Sequence, residues 1–178
     1  VQKPVNFDQW TQYVVASELR KQVREAAGSS TSPLVRVLRM AAGSEADSSP
    51  GKEAGQPAPG CNKLHMLRTP RVFTLGLASD TAHASKAEIS ESLQGIDERI
   101  HLCDVYQGLE EGGSCQLVAL TAFYEQHYVC FCYSQIAGQW IHYDDDTRRL
   151  VGKDFDAVKD KCVAGRLHPQ LLFYESRP

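Results

Sequence analysis

The sequence predicts an α+β domain in which helices come first and a mostly antiparallel sheet follows. Apolar residues recur at helical steps before residue 43, and from Pro70 onward short apolar runs are separated by turn residues. The chain of 178 residues can form one domain with a real core, and its 42% hydrophobic and 23% charged residues are typical of globular proteins. We therefore divide one domain, 1–178, into a helical segment (1–42), an insertion (43–60) and the sheet (61–178).

Two helices are predicted in the first segment. "NFDQWTQYVVASELRKQVREAAG" carries an apolar stripe at three- to five-residue steps and ends at Gly28. "SPLVRVLRMAAG" has Ser32 as its N-cap, Pro33 at its first helical position and Gly43 as its end. In residues 43–60, Gly, Ser, Pro, Ala and acidic residues dominate and no bulky apolar side chain occurs. Burial there cannot offset the entropy of ordering, so we predict a mobile insertion.

The remaining sequence is predicted to form the sheet and two short helices. Strands are expected in "RVFTLGLA", "RIHLCDVYQG", "SCQLVALTAFY", "HYVCFCYSQ", "GQWIHYDDD" and "QLLFYES". "SKAEISESLQG" is a helix with a capping box formed by Ser85 and Glu88, and "FDAVKDKCVAG" is one or two helical turns. The tight "YEQ" link makes the third and fourth strands neighbours. The basic stretches "RTPR" (68–71) and "TRR" (147–149) are expected to be solvated turns.

The net charge and the short apolar runs argue against nucleic-acid-binding and membrane-spanning proteins. The net charge of −3 gives no electrostatic reason to expect nucleic acid or an anionic membrane as partner, and no apolar run approaches the roughly 20 residues that span a bilayer. The start, "VQKPVNFDQW", lacks an initiator Met and a signal peptide, which suggests a processed chain or a piece of a longer one.

The six cysteines include no C-x-x-C pair, so we predict no structural zinc and no cofactor. Cys130 and Cys132 are two apart on a predicted strand and should share a face. Buried, reduced thiols of a cytoplasmic or otherwise intracellular protein are the expectation. His101 beside Cys103, and His142 near Asp144, alternate with apolar residues as half-buried strands do, so neither is interpreted as a metal site.

The stretch "QHYVCFCYSQIAGQWIHYDDD", residues 126–146, places His127 seventeen positions before Asp144. Two antiparallel strands with a short turn would bring the two side chains to the same sheet edge. A histidine that acts as a general base needs such a carboxylate to fix its tautomer and to stabilise the imidazolium. The spacing also fits a structural histidine at a strand start and a solvated "YDDD" turn.

Six motifs occur in the order found in one enzyme family: "PRVFTLGLA", "RIHLCDVY", "SCQLVALTAFY", "QHYVCF", "QWIHYDDD" and "QLLFYE". From about residue 70 to 176 the sequence resembles the C-terminal half of the catalytic domain of ubiquitin-specific proteases, which are papain-like cysteine peptidases that cleave ubiquitin from lysines. The resemblance implies a fragment of the papain-like fold, whose sheet-bearing part is called the palm.

The resemblance also implies roles for individual residues. His127 would be the general base, Asp144 its orienting acid and Asp145 a second acid that assists. Substrate contacts would come from Gln126, Tyr128 and Trp140. Ubiquitin or a ubiquitinated protein, and further protein chains, would be the partners.

Several departures from the family pattern favour its atypical, inactive branch. No segment matches the nucleophile box "G-L-x-N-L-G-N-T-C-[YF]-x-N", and Gln126 replaces the glycine that precedes the histidine. The "YEQ" loop is short, and the zinc cysteines of the family are absent. Two hypotheses follow: part of a working deubiquitinase whose nucleophile lies elsewhere, or an inactive scaffold. For this chain we expect no catalysis, and an apolar patch that is either exposed or covered by another chain.

Overall fold

The computed structural model describes residues 8–43, 64–79, 83–109 and 114–176, and the predicted mobile insertion lies, from residue 44 onward, outside them. Within these ranges there are four helices, α1 (Ala16–Glu25), α2 (Pro33–Ala41), α3 (Lys86–Gln94) and α4 (Phe155–Gly165). The same ranges contain eight strands, β1 (Gln9–Val15), β2 (Val72–Ala78), β3 (Arg99–His101), β4 (Ser114–Tyr124), β5 (His127–Ser134), β6 (Gln139–Asp144), β7 (Thr147–Gly152) and β8 (His168–Ser176). A 3-10 turn, Leu102–Asp104, follows β3.

All eight strands form one sheet. Its order is β1-β2-β8-β4-β5-β6-β7, and β3 pairs with β4. β1 runs parallel to β2, whereas every other pairing is antiparallel. The predicted α+β class with a mostly antiparallel sheet is therefore confirmed.

Alternation along the strands gives the sheet one buried face, which we call the inner face. In β5 and β6 the buried side chains occupy every second position, as with Phe131 and Trp140. In β4 the same alternation is interrupted once, by a bulge between Leu117 and Ala119, after which Leu120 is buried. These buried side chains share one core with apolar residues of the helices, such as Leu34 and Val158. Burial of this periodic face supplies most of the driving force for folding.

The helix caps predicted at Ser32 and at Ser85 with Glu88 are present. Ser32 accepts a hydrogen bond from the backbone N–H of Val35, with Pro33 at the first helical position of α2. In α3 the Ser85 and Glu88 side chains satisfy each other's backbone N–H groups in a capping box. These polar contacts fix where both helices begin.

The predicted helix over residues 6–28 is wrong in its first half, because Gln9–Val15 forms β1 and the helix α1 begins at Ala16. The segment "QWTQYVV" is rich in aromatic and β-branched residues, which favour strands. Its alternate positions are also the less exposed ones, with Val14 buried. Pairing along the whole of β2 selects this period of two over the helical stripe.

The basic stretch "TRR" is not a turn, since it begins β7, which pairs with β6. On the sheet side away from the helices, which we call the outer face, large apolar side chains are exposed. Tyr13, Tyr128 and Leu150 are 63%, 62% and 63% exposed. They lie on three separate strands, β1, β5 and β7, so the expected apolar patch stays a prediction. No described helix is long and apolar enough to cross a membrane.

Candidate active site

A two-residue turn places His127 at the edge of the sheet. Tyr124 ends β4 and pairs with His127, which begins β5, so only Glu125 and Gln126 connect the strands. Glu125 has a φ of 55°, a left-handed conformation that such a tight connection requires. The short loop read from the sequence is thus present, and it leaves His127 exposed.

Asp144 is brought to the same edge by the next hairpin. β5 and β6 pair antiparallel with Cys130 opposite Tyr143, so the start of β5 lies beside the end of β6. Asp144 ends β6, and its carbonyl oxygen accepts a hydrogen bond from the Thr147 hydroxyl at 2.8 Å. Asp145 follows in the turn with a φ of 48°.

The two side chains form a short hydrogen bond. His127 Nε2 and Asp144 Oδ1 are 2.6 Å apart, within the reach expected for a base and its orienting acid. The side chains are 46% and 43% exposed. Because the acid contacts Nε2, the nitrogen that could accept a proton from a nucleophile is Nδ1. This is the reverse of the Ser-His-Asp arrangement, in which the acid contacts Nδ1.

The contact favours the charged form of both groups. The hydrogen bond to Asp144 raises the pKa of His127, and the charges of Asp145 and Asp144 add to the effect. The same hydrogen bond lowers the pKa of Asp144. His127 is therefore a stronger base than an isolated imidazole, and its imidazolium has a carboxylate in place to stabilise it.

His127, Asp144 and Asp145 are also the residue types that bind metal ions, and their ligand atoms all lie within 4.8 Å of one another. Two ligands of one tetrahedral zinc would be about 3.3 Å apart at metal–ligand distances of about 2.0 Å. The 2.6 Å separation between His127 and Asp144 is shorter and is that of a hydrogen bond. The arrangement therefore suits proton transfer.

The three predicted substrate contacts lie in different environments. Gln126 is exposed in the turn before His127. Tyr128 is exposed on the outer face and packs against Phe123 with tilted rings, whose centroids are 4.7 Å apart. Trp140 is 2% exposed, and its ring packs against Tyr133 and Phe155. The Trp140 ring is thus part of the core, and the substrate contact that the resemblance implies for it stays a prediction.

None of the described thiols lies in hydrogen-bond contact with His127. Cys130 and Cys132 point to the outer face, whereas His127 alternates with them and points to the other side. Burial raises the pKa of Cys115 to about 11 and that of Cys162 to about 12, which makes both poor nucleophiles at neutral pH. The described part of the chain therefore supplies a base and an acid, but no thiol in hydrogen-bond contact with that base.

A cavity of about 290 Å³ adjoins the turn before His127, and no sequence motif indicated it. Its lining includes Glu125 and Tyr128 together with Arg166, which follows α4, and His168, which begins β8. Arg166 ends α4 with a φ of 55°. These residues are far apart in sequence and meet only because β8 lies next to β4 in the sheet.

No protein-family model matches the chain. Over 113 residues it is 26% identical to ubiquitin carboxyl-terminal hydrolase 54 of Mus musculus and, equally, of Rattus norvegicus. Each match covers 61% of this chain and 7% of the relative, so the chain spans about 7% of the length of the curated relatives it matches. The sequence match to ubiquitin carboxyl-terminal hydrolases is thus partial.

Among solved structures, a chain of the SAGA Ubp8/Sgf11/Sus1/Sgf73 DUB module is similar, with a TM-score of 0.40 and 18% identity over 61% of this chain and 24% of that chain. A module that contains a Ubp8 variant and is bound to monoubiquitin gives a TM-score of 0.38 and 17% identity, with the same coverage.

Proposed function

We propose that this chain carries the histidine and acid half of a ubiquitin-specific-protease-like active site, and that the thiol comes from a nucleophile box outside these 178 residues. The observation that carries the proposal is the 2.6 Å contact between His127 and Asp144 at one sheet edge. The partial match to ubiquitin carboxyl-terminal hydrolase 54 supports the choice of ubiquitin conjugates as the substrate class.

In this mechanism His127 Nδ1 takes the proton of a cysteine thiol, and the thiolate attacks the isopeptide carbonyl that joins ubiquitin to a lysine. While the imidazolium carries that proton, Asp144 stabilises it through the hydrogen bond to Nε2. The imidazolium then gives the proton to the departing lysine amine, and water later releases ubiquitin from the acyl-enzyme. Asp145 contributes a second negative charge near the ring.

A second candidate function is an inactive scaffold or interaction module. Two observations favour it: no described thiol contacts His127, and Gln126 places a long side chain where the family has glycine. In that case the His127–Asp144 pair persists as a strand-edge contact, and ubiquitin or another protein binds without being cleaved.

Ubiquitin binding by the chain is the first test. Labelled ubiquitin should bind saturably, and amide signals around Gln126 and His127 should shift in NMR spectra. Ubiquitin with a C-terminal electrophile should form no adduct with the chain alone. With a protein that also contains a nucleophile box, it should form an adduct whose rate falls strongly in His127→Asn and Asp144→Ala.

Asp146→Asn is the matched control, because it removes a neighbouring exposed carboxylate that forms no hydrogen bond or ion pair with His127. An adduct that needs His127 and Asp144 but not Asp146 supports the deubiquitinase. Saturable ubiquitin binding with no adduct supports the scaffold. The absence of both would overturn the proposal.

A further inference from the structure

Two cysteines on β5 form a close pair on the outer face, away from the candidate active site. Cys130 and Cys132 are two positions apart, so their side chains leave the strand on the same side. Their sulfur atoms are 3.4 Å apart, close enough for one thiol to donate a hydrogen bond to the other. Both side chains are partly exposed.

The neighbours of this pair are small or apolar. On β4, Thr121 lies opposite Cys130 and Ala119 opposite Cys132. On β6, Tyr143 and Ile141 occupy the equivalent positions. The helices pack on the inner face of the sheet and leave the outer face, with both sulfur atoms, uncovered in the described ranges. None of the four cross-strand neighbours carries an imidazole or a carboxylate.

The pair differs from a disulfide precursor and from a zinc site. Residues two apart on a strand have Cα atoms about 6.6–6.8 Å apart, at the far limit for a disulfide. Structural zinc takes four ligands, and the cross-strand neighbours supply no third sulfur or imidazole. A single soft atom that bridges the two sulfurs needs neither closer Cα atoms nor further protein ligands.

We propose that Cys130 and Cys132 form a bidentate binding site for a soft, thiophilic metalloid centre of the class represented by trivalent arsenicals. Thiolates are the protein ligands that such soft centres prefer. With an organic arsenic(III) oxide, two arsenic–sulfur bonds form and the arsenic–oxygen bond breaks. The two thiol protons leave with that oxygen as water, and arsenic keeps its oxidation state.

The protonation of the pair suits this reaction at neutral pH. The hydrogen bond from Cys130 lowers the pKa of Cys132 to about 7, so a thiolate is available for the first bond. The same interaction raises the pKa of Cys130, which therefore keeps its proton until the second bond forms. Geometry, with two sulfurs on one face at 3.4 Å, makes the second step intramolecular.

The other described cysteines lack exposure, a neighbouring thiol, or both. Cys115 and Cys162 are fully buried, and Cys103 is partly exposed but forms no thiol pair among the described residues. A reagent that needs two adjacent thiols should therefore select Cys130 and Cys132, whereas a reagent that needs one thiol should also modify Cys103.

Phenylarsine oxide is the probe, with intact mass spectrometry of the folded chain as the readout. One equivalent should add, with the mass of the reagent minus one water. The adduct should survive a monothiol and be removed by 2,3-dimercaptopropanol. Cys130→Ser and Cys132→Ser should each lose it, whereas the matched controls Cys103→Ser and Cys61→Ser should keep it.

A peptide map of the wild-type adduct supplies a test that needs no variant. Bound arsenical should block alkylation of Cys130 and Cys132 by iodoacetamide while Cys103 still reacts. The proposal is overturned if the folded chain forms no adduct, if either single serine variant with a native circular dichroism spectrum retains it, or if the protected residues are others. The readout involves neither ubiquitin nor His127, so its outcome is separate from that of the proposed function.

Discussion

Replacing Trp140 by alanine tests whether this ring belongs to the core or to a substrate surface. The ring is 2% exposed, and its centroid lies 5.6 Å from that of Phe155 and 5.7 Å from that of Tyr133. A buried tryptophan removes roughly 150–250 Å² from water, which at about 25 cal/mol per Å² corresponds to about 4–6 kcal/mol. That figure is an upper estimate, because unfolded chains already bury some apolar surface.

We therefore expect Trp140→Ala to lower the free energy of unfolding by about 3–5 kcal/mol, the usual range for removing a large buried aromatic ring. Urea unfolding followed by far-UV circular dichroism measures this loss. The signal does not depend on the lost indole, and Trp10 provides a second probe by fluorescence. A loss below about 1 kcal/mol would refute the reasoning, since it would mean that the ring is not packed as described.

Tyr128→Ala is the matched control, because the sequence predicted the same substrate role for both rings. Tyr128 is 62% exposed and its ring makes a tilted contact with Phe123, so its removal should cost less than about 1 kcal/mol. If ubiquitin binding is lost in Tyr128→Ala at unchanged stability, the substrate role applies to Tyr128 and not to Trp140.

Three further predictions concern the scaffold around the site. Ser32 caps α2 and also donates a 2.6 Å hydrogen bond to Asp97. Ser32→Ala should therefore lower the free energy of unfolding in urea by about 2–3 kcal/mol. Ser32→Asn keeps a side-chain acceptor at the cap and should recover at least the share of this loss that is due to capping. A Cβ at Gly152 would lie 2.5 Å from the Cβ of Ala157 on α4, so Gly152→Ala should lower the free energy of unfolding by about 1–3 kcal/mol. In a double-mutant cycle, Ala157→Gly should relieve part of this loss. Additive effects of the two substitutions would contradict the contact. His142 is 6% exposed, its ring nitrogens have no hydrogen-bond partner among the described residues, and burial lowers its pKa. The unfolded chain then protonates His142 more readily than the folded chain does. The contribution of His142 to stability should therefore fall as pH drops below about 6.5 towards the lower folded pKa. His142→Phe should remove this part of the pH dependence when both proteins are compared at neutral pH and at about pH 5.5.

Local patterns in the sequence determined most of the elements and the position of the candidate pair. Alternation in "SCQLVALTAFY", "HYVCFCYSQ" and "GQWIHYDDD" predicts β4, β5 and β6 close to their observed bounds. Because these strands are joined by short turns, their register follows from the chain itself. The spacing of His127 and Asp144 therefore predicted a shared sheet edge, where the two side chains lie 2.6 Å apart, while the roles proposed for them come from the family resemblance.

Only the tertiary structure decided features that depend on partners distant in sequence. Gln9–Val15 is a strand because β2, more than fifty residues later, offers it a full set of parallel hydrogen bonds, which outweigh a helical stripe. Trp140 is in the core because Phe155 on α4 packs against it. Arg166 and His168 reach the cavity beside the turn before His127 because β8 lies next to β4. Sequence spacing fixes neighbours within a hairpin, whereas long-range burial and pairing depend on the free energy of the whole fold.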